Sequence, residues 1–356
     1  MTPNKLSETQ KAMDRQSGIL GLDWSERVPA KARAALKGAR SITFVGTGTS
    51  YQCALWAATL CREASGGKLP ARALTSWDFL AGNYAKTAAR DELHVVVSHR
   101  GNRGLTKKLL DAIAPRKRVL VTGEDSPTGS HPYVYTSPQE TSLAHTMSLV
   151  GAMAACSELV ARLLPAAAAK RLRADRELAA VLLQAIGAQI DDLEAALGGI
   201  VTRGAGLHFV GGGAFHAIAL ELSLKAREII HVAAHAYNTE EFLHGPLASV
   251  DEEDTVVALE AFPPRTQAAL SKLLEHGRLA ACRKAAEALG CLVLEPSWDA
   301  SIVKQAAPLA QAWQALLALY WGQVLCVSTA KSWGIDPDTN RRDDPRYAEA
   351  HRHTQL

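Results

Sequence analysis

The sequence predicts an α/β protein made of two tandem doubly wound units, each a mostly parallel sheet with helices on both faces. Three observations in its 356 residues predict this. A strand, a glycine turn and a helical pattern occur together twice. Apolar strand candidates alternate with helical segments in both halves. Each half closes with a long apolar helix.

The first repeat element is Ile42-Thr43-Phe44-Val45-Gly46-Thr47-Gly48, matched by Leu207-His208-Phe209-Val210-Gly211-Gly212-Gly213 at a shift of 165 positions. Both runs continue into helical patterns that include Ala54-Leu55 and Ala219-Leu220. Ser76-Trp77-Asp78-Phe79 then resembles Thr239-Glu240-Glu241-Phe242 at a shift of 163. Strand candidates follow at 93–97 and 255–259, then helices ending in Lys108-Leu109-Leu110 and Lys272-Leu273-Leu274. A further strand pair is expected at 118–122 and 291–294, and the closing helices at 142–163 and 307–330. Alternation alone is common to α/β proteins, but paired glycine turns at a nearly constant offset point to duplication. The Ala/Leu-rich stretch 165–199 reads as one or two helices. The expected layout is a helical arm (1–35), a first domain (36–164), a helical linker (165–200), a second domain (201–333) and a tail (334–356).

Hydrophobic residues make up 47% and charged residues 21%, which suits a soluble chain with a sizeable core. The 39 basic residues are interspersed with 36 acidic ones, so nucleic acid is not an expected partner. Residues 1–20 hold no apolar run of the signal-peptide type, and six cysteines lack metal-ligand spacing. They read as reduced core thiols of a cytoplasmic protein. The segment 305–330 carries no charge, yet it contains Gln305, Gln311, Gln314, Gln323 and Pro308. A buried helix is expected there, not a membrane span.

Ligands of open parallel sheets bind beyond the carboxyl ends of the strands, where the connections reverse. The turn Gly46-Thr47-Gly48-Thr49-Ser50 brings Gly48 and two hydroxyls, Thr49 and Ser50, to a helix start that favours anions. It lacks the full GxGxxG spacing, since Tyr51 stands three after Gly48, and there is no Walker lysine. The loop Ser98-His99-Arg100-Gly101-Asn102-Arg103 follows the next strand and adds a serine and two arginines suited to phosphate or carboxylate.

In the second half, Glu221, Lys225 and Glu228 share one helix face at spacings of four and three. A surface ion-pair stripe has the same spacing, but the apolar neighbours from 217 to 224 argue for a packed helix. Thr239-Glu240-Glu241-Phe242-Leu243-His244-Gly245-Pro246 reads as a strand-to-loop segment at the ligand edge, which sets His244 beside the carboxylate as an acid–base pair. Sugar isomerisation needs such groups: one opens the ring, the other carries a proton between adjacent carbons through an enediol. Hydrogen-bond donors can stabilise the oxyanion, so neither metal nor cofactor is required.

Gly48-Thr49-Ser50-Tyr51, the 98–103 loop, Leu224-Lys225-Ala226-Arg227-Glu228-Ile229 and Glu241-Phe242-Leu243-His244-Gly245-Pro246-Leu247 resemble the SIS (sugar isomerase) family, in its double-SIS amino-sugar branch. The resemblance runs from about residue 20 to 344. It implies two SIS-type domains, a sugar or sugar phosphate as ligand, and a homodimer. It implies that Glu228 shuttles the proton, that Lys225 stands beside it, and that His244 serves ring opening, often across a dimer interface. Gly48, Thr49, Ser50, Ser98, His99, Arg100, Arg103 and Glu241 fall at substrate-binding positions.

The sequence also departs from the family. The family's loop reads Ser-Gln-Ser-Gly-Glu-Thr, so Arg100 and Arg103 replace hydroxyl ligands of phosphate and would hold an anion by charge. The family's tail lysine has no equivalent, since the last lysine is Lys331. No glutaminase half is present in this sequence, which favours the degradative direction. The expected function is therefore isomerisation, deamination or deglycation of an amino-sugar or ketosamine phosphate. The alternatives are a non-catalytic sugar sensor and an aldose–ketose isomerase of a nitrogen-free sugar phosphate.

Overall fold

Strands β1 (Ser41–Gly46) and β6 (Leu207–Val210) are the apolar runs ahead of the two glycine turns, and each lies inside its sheet. The computed structural model describes residues 6–260 and 270–354, and of 270–276 the backbone alone. One sheet has the order β2-β1-β3-β4-β5, with β2 at Ala71–Thr75, β3 at Glu92–Val97, β4 at Arg118–Thr122 and β5 at Tyr133–Tyr135. The other has the order β7-β6-β8-β9, with β7 at Ala234–Tyr237, β8 at Thr255–Ala258 and β9 at Leu292–Leu294. Every pairing is parallel. The fold is α/β with two parallel sheets, and the shared order 2-1-3-4 is the repeat seen in three dimensions.

The glycine turns have one physical cause in both copies. A Cβ on Gly46 would lie 2.4 Å from the Ser50 backbone, and one on Gly211 would lie 2.8 Å from the Phe215 Cβ. Two residues on, Gly48 (φ 57°, ψ −133°) and Gly213 (φ 56°, ψ −123°) cap the helices Thr49–Ser65 and Ala214–Ile229 in a backbone region closed to other residues. The chain thus turns from strand to helix where Gly46 and Gly211 have no room for a Cβ and Gly48 and Gly213 take a positive φ.

Two compact units result. The first holds Arg15–Thr141 with His145–Ala180, and the second holds the residues up to Asp14, Ser142–Ala144 and everything from Val181 on. In the first, Val45, Val96 and Leu120 from the sheet pack with Phe79, Leu109 and Leu110. In the second, Val210, Val256 and Ala258 pack with Phe242, Leu279 and Cys282. All six cysteines are buried and outside any disulfide, and burial pushes the Cys61 and Cys326 thiols up to about 12.

Several expectations shift at element edges. The closing helices span Thr146–Ala161 and Gln311–Trp333. No helix among the described residues is long and apolar enough to cross a membrane. The second helix is buried from Ala312 to Ala330 against the helix Ala214–Ile229, and Gln314 donates to the carbonyls of Ala306, Ala307 and Leu309. The stretch after 165 folds as two helices, Ala166–Gly187 and Ile190–Leu197. The helix expected to end at Lys272-Leu273-Leu274 instead begins just before them and runs from Leu270 to Ala288. The side chains of those three residues lie outside the described set. Thr239–Leu243 is a helix, not a strand-to-loop segment, because the Asn238 side chain accepts from the Glu240 amide and starts a helical turn.

Candidate active site

In the first sheet β1 and β3 are neighbours, so the chain leaves them in opposite directions and opens a crevice at their carboxyl ends. The loops after these strands are the two singled out by sequence. Thr49 and Ser50 form the first turn of the helix behind Gly48. Ser98 donates to the Gly101 carbonyl at 3.2 Å and lies 3.2 Å from the Thr106 hydroxyl, so it is held inside its loop. Arg100 and Arg103 are exposed, and neither guanidinium has a carboxylate partner among the described residues.

His99 anchors this loop. Its carbonyl accepts from the Ser126 hydroxyl at 2.7 Å, the Gly123 amide at 3.2 Å and the Thr122 hydroxyl at 3.3 Å. Its ring stands 5.3 Å from the His145 ring. Burial pushes the His99 imidazole below its ordinary value, with Glu140 opposing and Arg100 adding to the shift.

Sequence reasoning missed Glu140. Its Oε1 accepts from the amides of Thr146 (2.7 Å) and Met147 (3.2 Å), and Oε2 from the Ser148 amide (2.7 Å). The carboxylate therefore fills the positive end of the helix Thr146–Ala161, whose adjacent residue His145 gives no side-chain cap. The signal was an acidic residue six positions before a long apolar helix, a spacing outside the usual capping box.

In the second unit, Lys225 is fully buried on the helix Ala214–Ile229. Its ammonium lies 2.5 Å from Glu228 Oε2, 2.5 Å from the Ala144 carbonyl and 3.4 Å from Glu221 Oε1. Burial pushes this lysine down, but Glu221 and Glu228 together outweigh it, and its pKa ends above the ordinary value. Glu228 keeps 24% of its side chain exposed, and Oε2 is its only bonded oxygen among the described residues. Neither the Ala144 carbonyl nor the bridging role of Glu221 was anticipated, because a main-chain acceptor has no sequence signature.

His244 is 69% exposed and bonds Glu240 Oε1 at 2.9 Å, while Arg278 grips the same carboxylate at 2.5 and 2.8 Å. Glu241 is exposed beside them and acts on the half-buried His216 ring. The expected side-by-side pairing of His244 with Glu228 does not occur within this unit. The helix carrying Glu228 starts at the carboxyl edge behind β6 and, over 16 residues, runs about 24 Å back to the amino edge. β7 then returns to the carboxyl edge, where His244 sits. The two residues stand at opposite edges of one sheet. Among the described residues no group of three His, Cys, Asp or Glu side chains is arranged to hold a metal.

Comparison with known proteins agrees with this architecture. Residues 206–277 match the family model described as SIS domain. The glutamine–fructose-6-phosphate aminotransferase (isomerizing) of Sulfolobus acidocaldarius is 25% identical over 240 residues, 64% of this chain and 38% of that protein. The chain thus spans about two fifths of the length of such curated relatives. Tagatose-6-phosphate ketose/aldose isomerase from Escherichia coli superposes with a TM-score of 0.74 at 19% identity, covering 95% of this chain and 98% of that one. Glucosamine-6-phosphate deaminase from Thermotoga maritima gives 0.62 at 20% identity, covering 94% of this chain and 97% of that one. Together with the twofold parallel-sheet repeat, the match over 206–277 makes this segment similar to a SIS domain.

Proposed function

We propose that this protein isomerises or deaminates a sugar phosphate, with Glu228 moving a proton between C1 and C2 of the ring-opened sugar. The observation that carries this reading is the Lys225–Glu228 contact at 2.5 Å in a buried setting. The lysine, itself held by Glu221 and the Ala144 carbonyl, fixes one Glu228 oxygen in place at the helix end. The second Glu228 oxygen is left for substrate.

For an amino sugar, Glu228 takes the C2 proton of the open aldehyde and an enolamine forms. Return of the proton to C1 gives a ketimine, and water releases ammonia and leaves the ketose phosphate. A nitrogen-free sugar would follow the same proton path without consuming water. The names of the relatives, an aminotransferase that isomerises and a glucosamine-6-phosphate deaminase, support the amino-sugar version. In the first unit, Gly48, Thr49, Ser50, Ser98, Arg100 and Arg103 suit a phosphate by amide, hydroxyl and guanidinium contacts. Because His244 and Glu228 lie at opposite edges of their sheet, His244 would reach a sugar at Glu228 only from a second copy, which favours a homodimer.

The test is turnover and ammonia release with a panel of hexose and hexosamine phosphates, for the natural chain and for Glu228→Gln. Loss of a positioned proton-transfer group is expected to cost about 10²–10⁴-fold in turnover. Full activity in Glu228→Gln would overturn the reading, and ketose formation without ammonia would move it to the nitrogen-free reaction.

A further inference from the structure

We propose that a cleft at the amino edge of the second sheet binds a small organic anion, a phosphate or carboxylate borne on an apolar body. The cleft measures about 390 Å³, and its wall includes Arg203, His231, Trp333, Ile335 and Arg341. That volume lies within the range of small-molecule sites. The segments Arg203–Ala205 and Ile230–Ala233, which lead into β6 and β7, form its floor. The Glu228 side chain is not part of the wall, although the His231 ring bonds the Glu228 backbone.

Two guanidinium groups and one imidazole converge here. The Arg203 guanidinium lies 5.7 Å over the Trp333 ring, and Arg341 lies 4.2 Å over the Tyr347 ring with Nη1 2.6 Å from its hydroxyl. Aromatic faces hold the two guanidinium planes, yet neither has a carboxylate ion-pair partner among the described residues. Guanidinium edges left this way match the oxygens of phosphate or carboxylate.

His231 supplies the third group. Its backbone is left-handed (φ 61°), uncommon for a residue with a side chain. The ring bonds the Glu228 backbone, and Nε2 is buried with no hydrogen-bond partner among the described residues. Buried polar atoms are rarely left so; burial and Arg341 hold this ring below its ordinary value, so its Nε2 is an acceptor that the hydroxyl of a singly ionised phosphate or an undissociated carboxyl would satisfy. The one opposing charge that acts on His231 is Asp343, set against Arg341. Trp333 and Ile335 offer an apolar wall, which favours an anion with a flat hydrocarbon part over a bare ion.

The test is calorimetric titration of the full chain with inorganic phosphate, phenyl phosphate and benzoate. Phenyl phosphate is expected to bind at least tenfold more tightly than inorganic phosphate. The Arg203→Gln/Arg341→Gln double variant is expected to lose one site and at least tenfold in affinity. Arg100→Gln/Arg103→Gln and Glu228→Gln should keep that site, so its loss and the loss of turnover are separable. If the double variant fails to fold, Arg341→Lys, which keeps the charge and removes the fork, is expected to weaken phenyl phosphate severalfold. Trp333→Phe is expected to weaken phenyl phosphate more than inorganic phosphate. Unchanged isotherms in a folded Arg203/Arg341 variant, or binding lost only in the Arg100/Arg103 variant, would overturn the proposal.

Discussion

The Lys225 ammonium lies 2.5 Å from Glu228 Oε2, a contact between residues three apart on one helix face. Lys225 is fully buried, so its charge is tolerated only because Glu221 and Glu228 compensate it. Lys225→Met is therefore expected to lower stability by about 3–5 kcal/mol in urea unfolding at neutral pH, since it leaves two carboxylates without their cation. The lysine's folded pKa is raised above its ordinary 10.5. The stabilisation is thus full below pH 10.5 and is lost as pH rises through the folded value. The advantage of the natural chain over Lys225→Met should hold from pH 7 towards 10 and shrink above that; a constant difference into strong alkali would contradict the pairing.

Glu158 is completely buried and meets three arginines: Arg173 at 2.8 Å, Arg162 at 3.1 Å and Arg176 at 3.4 Å. Arg176 is itself 3% exposed, so removing the acid strands a buried cation. Glu158→Ala is expected to cost about 3–5 kcal/mol, read from the shift in the denaturation midpoint. A loss under 1 kcal/mol would mean that water reaches these arginines.

Glu140 satisfies three amides at the start of the helix Thr146–Ala161. Glu140→Ala should destabilise the chain by about 0.5–2 kcal/mol, the usual cost of losing a cap. Glu140→Gln retains an acceptor oxygen and should cost less. Equal effects of the two substitutions would show that charge, not hydrogen bonding, sets the cap's strength.

Acid should weaken the fold in a defined window. Burial pushes His94, His99 and His208 below the ordinary histidine value of 6.5. The unfolded chain binds these protons first, so stability is present above pH 6.5 and is lost as pH falls through the folded values. Urea midpoints measured from pH 8 to pH 5 should fall below about 6.5. A flat profile across that span would mean that these rings accept protons in place.

The repeat was legible because its cause is local. Gly46 and Gly211 are forced by the approach of the following helix backbone or its first side chains, and Gly48 and Gly213 by their positive φ. β4 begins and ends where the apolar pattern does, at Arg118 and Thr122. The short strands β2, β5 and β7 were not foreseen. They are three to five residues long and flank the sheet, so partners, more than their own composition, make them strands.

By itself the sequence determined the duplicated α/β architecture, the two loops at the first crevice, and the face shared by Glu221, Lys225 and Glu228. Each follows from short-range geometry: strand alternation, the glycine turn, the helical period. Tertiary structure alone decided that the Ala144 carbonyl completes the Lys225 cage, that Glu140 caps a helix six residues away, and that Glu228 and His244 occupy opposite edges of one sheet. Sixteen residues separate these two in the chain, but a returning helix end and a strand lie between them. Which edge a residue reaches depends on the direction each element runs, and the packed sheet fixes that direction.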